Sequence, residues 1–130
     1  MNNFAPQPLT ITSAQERQIS QDLRPFAGKT VEIAVNNGTP QMLEFETGFA
    51  RSLRNAGIEI TEEDRGGQVM SSNGIPKSIS FTLGPEDIEL ARAIANALYF
   101  RGVVTHQLEA SVDRVNPGMA NRCFIVISAE

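Results

Sequence analysis

The polar groups best arranged for a ligand lie in the run Asn36, Asn37, Gly38, Thr39, followed by Pro40. It offers two side-chain amides, a hydroxyl and, where a helix is expected to begin, free backbone N–H groups. Such N–H groups attract anions, so the chemistry this turn would serve is the holding of a small anionic or nucleotide ligand through a phosphate or ribose. Glu86, with Asp87 beside it, would face the turn if the first and third strands were neighbours, and one of the two would orient a sugar hydroxyl. The same carboxylates repel phosphate. The turn also has no P-loop lysine and no GxGxxG spacing, and its residues are those of any tight strand-to-helix connection.

Nothing else in the chain converges on a reaction. His106 is the only histidine and Cys123 the only cysteine, so zinc has no ligand set and an internal disulfide is excluded. A Cys123–His106 nucleophilic pair is the one catalytic arrangement available, but Cys123 opens an apolar run and reads as an inert core thiol. Glu62, Glu63 and Asp64 adjoin as a charge run of the kind that water normally solvates, and they lack the alternation of an EF-hand. With no tryptophan and one tyrosine, platforms for stacking bases or sugars are scarce. No catalytic residue, metal or cofactor is assigned.

The elements that must position the turn are legible. Val31, Ile33 and Val35 alternate with Glu32 and Ala34, which predicts a strand. Thr39 suits a helix cap and Pro40 the first helical position. Met42, Phe45, Phe49, Leu53 and Ala56 then share one helical face, and Gly57 ends the helix before a second strand at Ile58–Thr61. Gly48, off-rule in a helix interior, predicts a close neighbour. Ahead of this unit, residues 1–12 read as a loose arm. A helix is expected from Ser13, whose spacing to Glu16 is that of a capping box, carrying Ile19, Leu23 and Phe26 and stopping near Arg24, before Pro25.

The stretch Glu62–Lys77 loses all periodicity and reads as a loop or small β-excursion. Ile79, Phe81 and Leu83 then alternate as a third strand. The Gly84–Asp87 segment starts a helix striped by Ile88, Ala91, Ala95 and Leu98 and broadened by Leu90, Ile94 and Ala97, and Gly102 ends it. ARSLRNAGIEIT and ARAIANALYFRGVVTH thus close their helices in the same fashion. A fourth strand falls within Val103–Val112 and a turn at Asn116-Pro117-Gly118. Cys123–Ile127 reads as a strand buried on both faces, pairing antiparallel with the fourth. The fold predicted over residues 13–130 is one α/β domain: a small sandwich of about five mostly parallel strands built on two βα units, plus the N-terminal helix.

Composition sets the outer limits. At 130 residues, 41% hydrophobic and 20% charged, the chain has material for one real core. A net charge of −4 argues against general nucleic-acid or anionic-membrane binding, though Arg51 and Arg54 are one candidate for a local basic patch. No window approaches the ~18 apolar residues of a membrane span, and MNNFAPQPLT lacks a signal-peptide pattern, so the chain reads as soluble and cytoplasmic.

LTITSAQERQISQDLRPFAGKTVEIAV, followed by a helix ending in LRNAGIEI, resembles the soluble portion of a group of small, uncharacterised bacterial proteins, many of them membrane-anchored. The likeness is clearest over residues 9–35 and 43–60. It implies a domain tethered to the inner face of a membrane through a segment outside this chain, and it brings no catalytic residues. The function expected is therefore a non-enzymatic binding or interaction module with a protein partner or self-association, contacting through Glu62–Lys77 and Asn36–Thr39. The alternative is a small nucleotide sensor or nucleotide-handling enzyme built on Asn36–Thr39 and Glu86.

Overall fold

The computed structural model describes residues 9–35, 40–64, 76–84, 87–104, 110–112 and 123–129. The first helix, α1 (Ser13–Leu23), is capped by Thr12 rather than Ser13. The Thr12 hydroxyl accepts from the Gln15 N–H at 3.1 Å, and the Gln15 side chain accepts from the Thr12 N–H at 2.8 Å. The capping box thus sits one residue earlier than expected and uses glutamine, which leaves Glu16 free to turn inward. Pro25 ends the α-helix, and the chain tightens into a 3-10 turn over Arg24–Phe26.

Strand β1 (Thr30–Val35) leads to α2 (Pro40–Asn55) and then to β2 (Glu59–Asp64). The expected stripe of α2 is the buried one: Met42, Phe45, Phe49, Leu53 and Ala56 all lie in the core. Strand β3 (Pro76–Leu83), α3 (Ile88–Phe100) and β4 (Ala110–Val112) repeat the pattern. Both helices end in the same six-residue closure. Ile58 N–H donates to Leu53 C=O at 3.0 Å and Gly57 N–H to Arg54 C=O at 3.0 Å. Val103 N–H donates to Leu98 C=O at 2.9 Å and Gly102 N–H to Tyr99 C=O at 3.1 Å. Gly57 (φ 90°) and Gly102 (φ 79°) take the left-handed conformation this closure demands, which a side chain would strain.

The five strands form one mixed sheet in the order β2-β1-β5-β3-β4, where β5 is Cys123–Ala129. β1 runs parallel to both β2 and β5, and β3 parallel to β4, while β3 and β5 are antiparallel. The closing strand therefore pairs with β1 and β3, not with β4. Two rows of partners were available to so apolar a strand at the centre of the sheet, whereas β4 is three residues long and, among the described residues, pairs with β3 alone. Each βαβ unit crosses to its outer neighbour, and the right-handed rule then places α2 and α3 on the same side of the sheet. The packing of α1 against both agrees.

Val31, Ile33, Val35, Ile79, Phe81, Leu83, Cys123, Ile125 and Ile127 point from the sheet toward the helices and are buried. Each fully buried large side chain of this kind contributes about 1.5–3 kcal/mol. Most intervening residues differ: Ser80 is exposed, and Ala34, Thr82, Phe124 and Val126 are only half-buried, while Glu32 is buried. The run CFIVI, apolar throughout in sequence, thus alternates in burial rather than being covered equally on both faces. Among the described residues no helix is long and apolar enough to cross a membrane.

Candidate functional site

Asn36, Asn37, Gly38, Thr39 and Glu86 lie outside the described residues, as do His106 and most of Glu62–Lys77. The strands that flank them are described, and they overturn the premise of a shared crevice. β1 and β3 are not neighbours, because β5 lies between them. They also run in opposite directions: Val35, at the carboxyl end of β1, pairs with Ile127, whereas Leu83, at the carboxyl end of β3, pairs with Cys123. Four residues of β5, ~13 Å of strand, separate those two levels of the sheet. The chain order that would have aligned the two ends was broken by insertion of an antiparallel partner.

The other sequence candidates resolve into structure. Cys123 is buried, and burial, with a smaller contribution from the Asp87 carboxylate, pushes its thiol up to about 12. A thiol held that far above the ordinary range carries almost no thiolate at neutral pH, and Cys123 packs as a core residue. Arg51, proposed as half of a basic patch, is already engaged: its Nε and Nη2 donate to the two Glu16 carboxylate oxygens at 2.6 and 2.8 Å. That hydrogen-bonded pairing holds the guanidinium pKa above its ordinary value. No group of three or more His, Cys, Asp or Glu side chains among the described residues could hold a metal ion.

The described surface has an opening elsewhere, in the helical layer. α1 lies against α2 and α3 and is fastened to each. Toward α2, Glu16 meets Arg51, and the Ser20 hydroxyl donates to the Ser52 carbonyl at 2.9 Å. The helix backbone at Gly48 comes so close that an added Cβ would lie 2.5 Å from Ile11 Cγ2, so the expected close neighbour is the residue leading into α1. Toward α3, Gln15 Nε2 donates to the Arg101 carbonyl at 2.8 Å, and Arg101 donates through Nε and Nη2 to Asp22 at 2.8 and 2.7 Å. The Asp22 hydrogen bonds raise the Arg101 pKa. Between α1 and α3 lies a groove of about 410 Å³ lined by Asp22, Ala93, Asn96, Ala97, Phe100 and Arg101.

Phe100 stands at its end, 72% exposed, with Tyr99 tilted against it at 5.6 Å between ring centroids and 37% exposed. These are the exposed large apolar side chains among the described residues. Sequence reasoning passed over them, although a signal was present. The stripe of α3 points one way, and Phe100 falls on the opposite side of the helix, where a large apolar residue has no core to enter. The ion pairs left no such mark, since Asp22 and Arg101 are 79 residues apart. The two ionic groups that line the groove, Asp22 and Arg101, are bonded to each other. Compared with protein-family models, with curated proteins and with solved structures, the chain gives no match in any of the three.

Proposed function

We propose that this protein is a non-enzymatic interaction module that contacts another polypeptide through the helical layer, at the α1–α3 groove. The observation that carries the reading is Phe100, a phenyl ring 72% exposed on a groove lined in part by Ala93 and Ala97. Burying such a ring is worth about 1.5–3 kcal/mol, and nothing among the described residues collects that energy. The ionic groups around it support the same view, because Asp22 and Arg101 are consumed in holding α1 to α3 rather than being left to act on a substrate. In line with the resemblance of residues 9–35 and 43–60, the module would serve as the sensor or assembly domain of a membrane-tethered protein, its anchor outside this chain.

The competing nucleotide reading loses its crevice once β1 and β3 are separated by β5, and what remains of it is the turn at Asn36–Thr39. A panel of nucleoside mono-, di- and triphosphates in a thermal-shift assay decides between them. A nucleotide at about a hundred times its Kd adds ~2.7 kcal/mol of stability and a clear rise in Tm. The interaction-module reading expects no shift from any member of the panel, and a saturable shift with one of them refutes it.

A further inference from the structure

The groove and the ring that stands over it belong to the same stretch of α3. Ala93, Asn96, Ala97 and Phe100 are spaced i, i+3, i+4 and i+7, the four positions that make a hole for a knob from a facing helix. Phe100 is at once a wall of that hole and the projecting side chain next to it. The mate of an exposed aromatic is a groove of small residues, and the mate of such a groove is an exposed aromatic. One surface carries both, which is the self-complementarity a two-fold contact requires.

We propose, building on the interaction-module reading, that the partner of this surface is a second copy of the chain. Two α3 helices pack antiparallel, and each Phe100 sits among Ala93, Asn96 and Ala97 of the other copy beside its Arg101. The charges favour this occupant. Each copy carries a net −4, so identical chains repel unless they meet on a neutral patch. Here the two ionic groups lining the groove cancel, with Asp22 and Arg101 joined by two hydrogen bonds. Covering them strands no lone charge, and the flat guanidinium presents a face on which an aromatic ring can stack. A strongly charged partner would find no net charge to read.

The size of the surface sets the strength. A standard interface takes ~800 Å² from each partner, roughly a tenth of the 7474 Å² surface of this chain. α3, 13 residues and ~20 Å long, supplies only part of that, so the dimer expected is a weak and reversible one.

Sedimentation equilibrium of the whole chain from about 5 to 500 µM tests this. The expected result is a reversible monomer–dimer equilibrium that Phe100→Ser weakens at least tenfold by removing the knob. Asn96→Arg should weaken it as much by filling the hole and bringing two cations together. Both positions are exposed, so both variants should fold with a Tm near that of the parent, and that is measured alongside. A chain that stays monomeric throughout overturns the proposal and leaves a foreign polypeptide as the occupant of the groove. A dimer indifferent to both substitutions overturns it too, by placing the contact elsewhere. Neither result bears on the nucleotide panel, which alone decides the interaction-module reading.

Discussion

Replacing Gly48 with alanine sets two energies of known sign against each other. In a helix interior alanine is better than glycine by about 0.8–1 kcal/mol, so by propensity alone Gly48→Ala should stabilise α2. The structure opposes this, because the new Cβ would lie 2.5 Å from Ile11 Cγ2 and 3.4 Å from Glu16 Oε2. The second distance is tolerable. The first is not, and the methyl concerned is fixed to a β-branched carbon, so relief requires the segment before α1 to move. Overpacking of this kind costs about 1–3 kcal/mol, which outweighs the propensity gain and leaves the variant roughly 1 kcal/mol less stable. Removing the obstructing methyl should reverse the sign: in an Ile11→Ala background, Gly48→Ala should recover up to ~1 kcal/mol. Urea melts of the parent, both single variants and the double variant give the coupling directly, expected near 2 kcal/mol. A parent chain stabilised by the full ~1 kcal/mol on Gly48→Ala, with no coupling to Ile11, would refute the close approach of α1 to α2.

Other perturbations read other parts of the fold. Phe49 is fully buried and stacked on Phe45 at 6.3 Å, so Phe49→Ala should cost about 3–5 kcal/mol in denaturant melts, and a loss under ~1 kcal/mol would mean α2 does not face the sheet as described. Thr12→Ala removes half of the capping box and should cost about 0.5–2 kcal/mol, with α1 amides exchanging faster than those of α2. Cys123 should resist a thiol reagent at pH 8 in the folded protein and react only at the rate of unfolding. Because its folded pKa is raised from 9.0 to about 12, the folded state holds a proton that the unfolded chain releases. Its stabilising contribution is therefore complete below pH 9 and is lost as pH rises toward 12, a fall that should be shallower in Cys123→Ala.

Local signals carried most of the fold. The alternation in β1 and β3, the stripes of α2 and α3, and the glycine closures at Gly57 and Gly102 are each set by residues within a few positions of one another. What local spacing could not reveal was strand order. CFIVI is apolar enough to sit anywhere inside a sheet, and its place between β1 and β3 depends on pairings across about ninety and about forty residues. That single placement set the carboxyl ends of β1 and β3 at different levels of one sheet, with β5 between them. The cap of α1 was missed by one residue because Ser13 and Thr12 can each open a capping box, and the choice between them rests on which partner, Gln15 or Glu16, is free. Glu16 was taken by Arg51, 35 residues away. The groove at α3 was half legible, in Phe100 lying off its stripe, and half not, in the Asp22–Arg101 pair.

The position of β5 also has a consequence for the order in which the protein can be made. The strands that emerge first, β1 with β2 and then β3 with β4, form two parallel pairs that share no backbone hydrogen bond with each other. The strand that joins them is the last element in chain order. Until residues 123–129 leave the ribosome, the nascent chain carries two half-sheets whose inner edges are bare, with only packing in the helical layer to hold them side by side. Such edges invite pairing with other chains. The sheet therefore closes only once residues 123–129 have emerged, in one late insertion between two preformed edges. A chain interrupted anywhere before Cys123 would be left with both of them open.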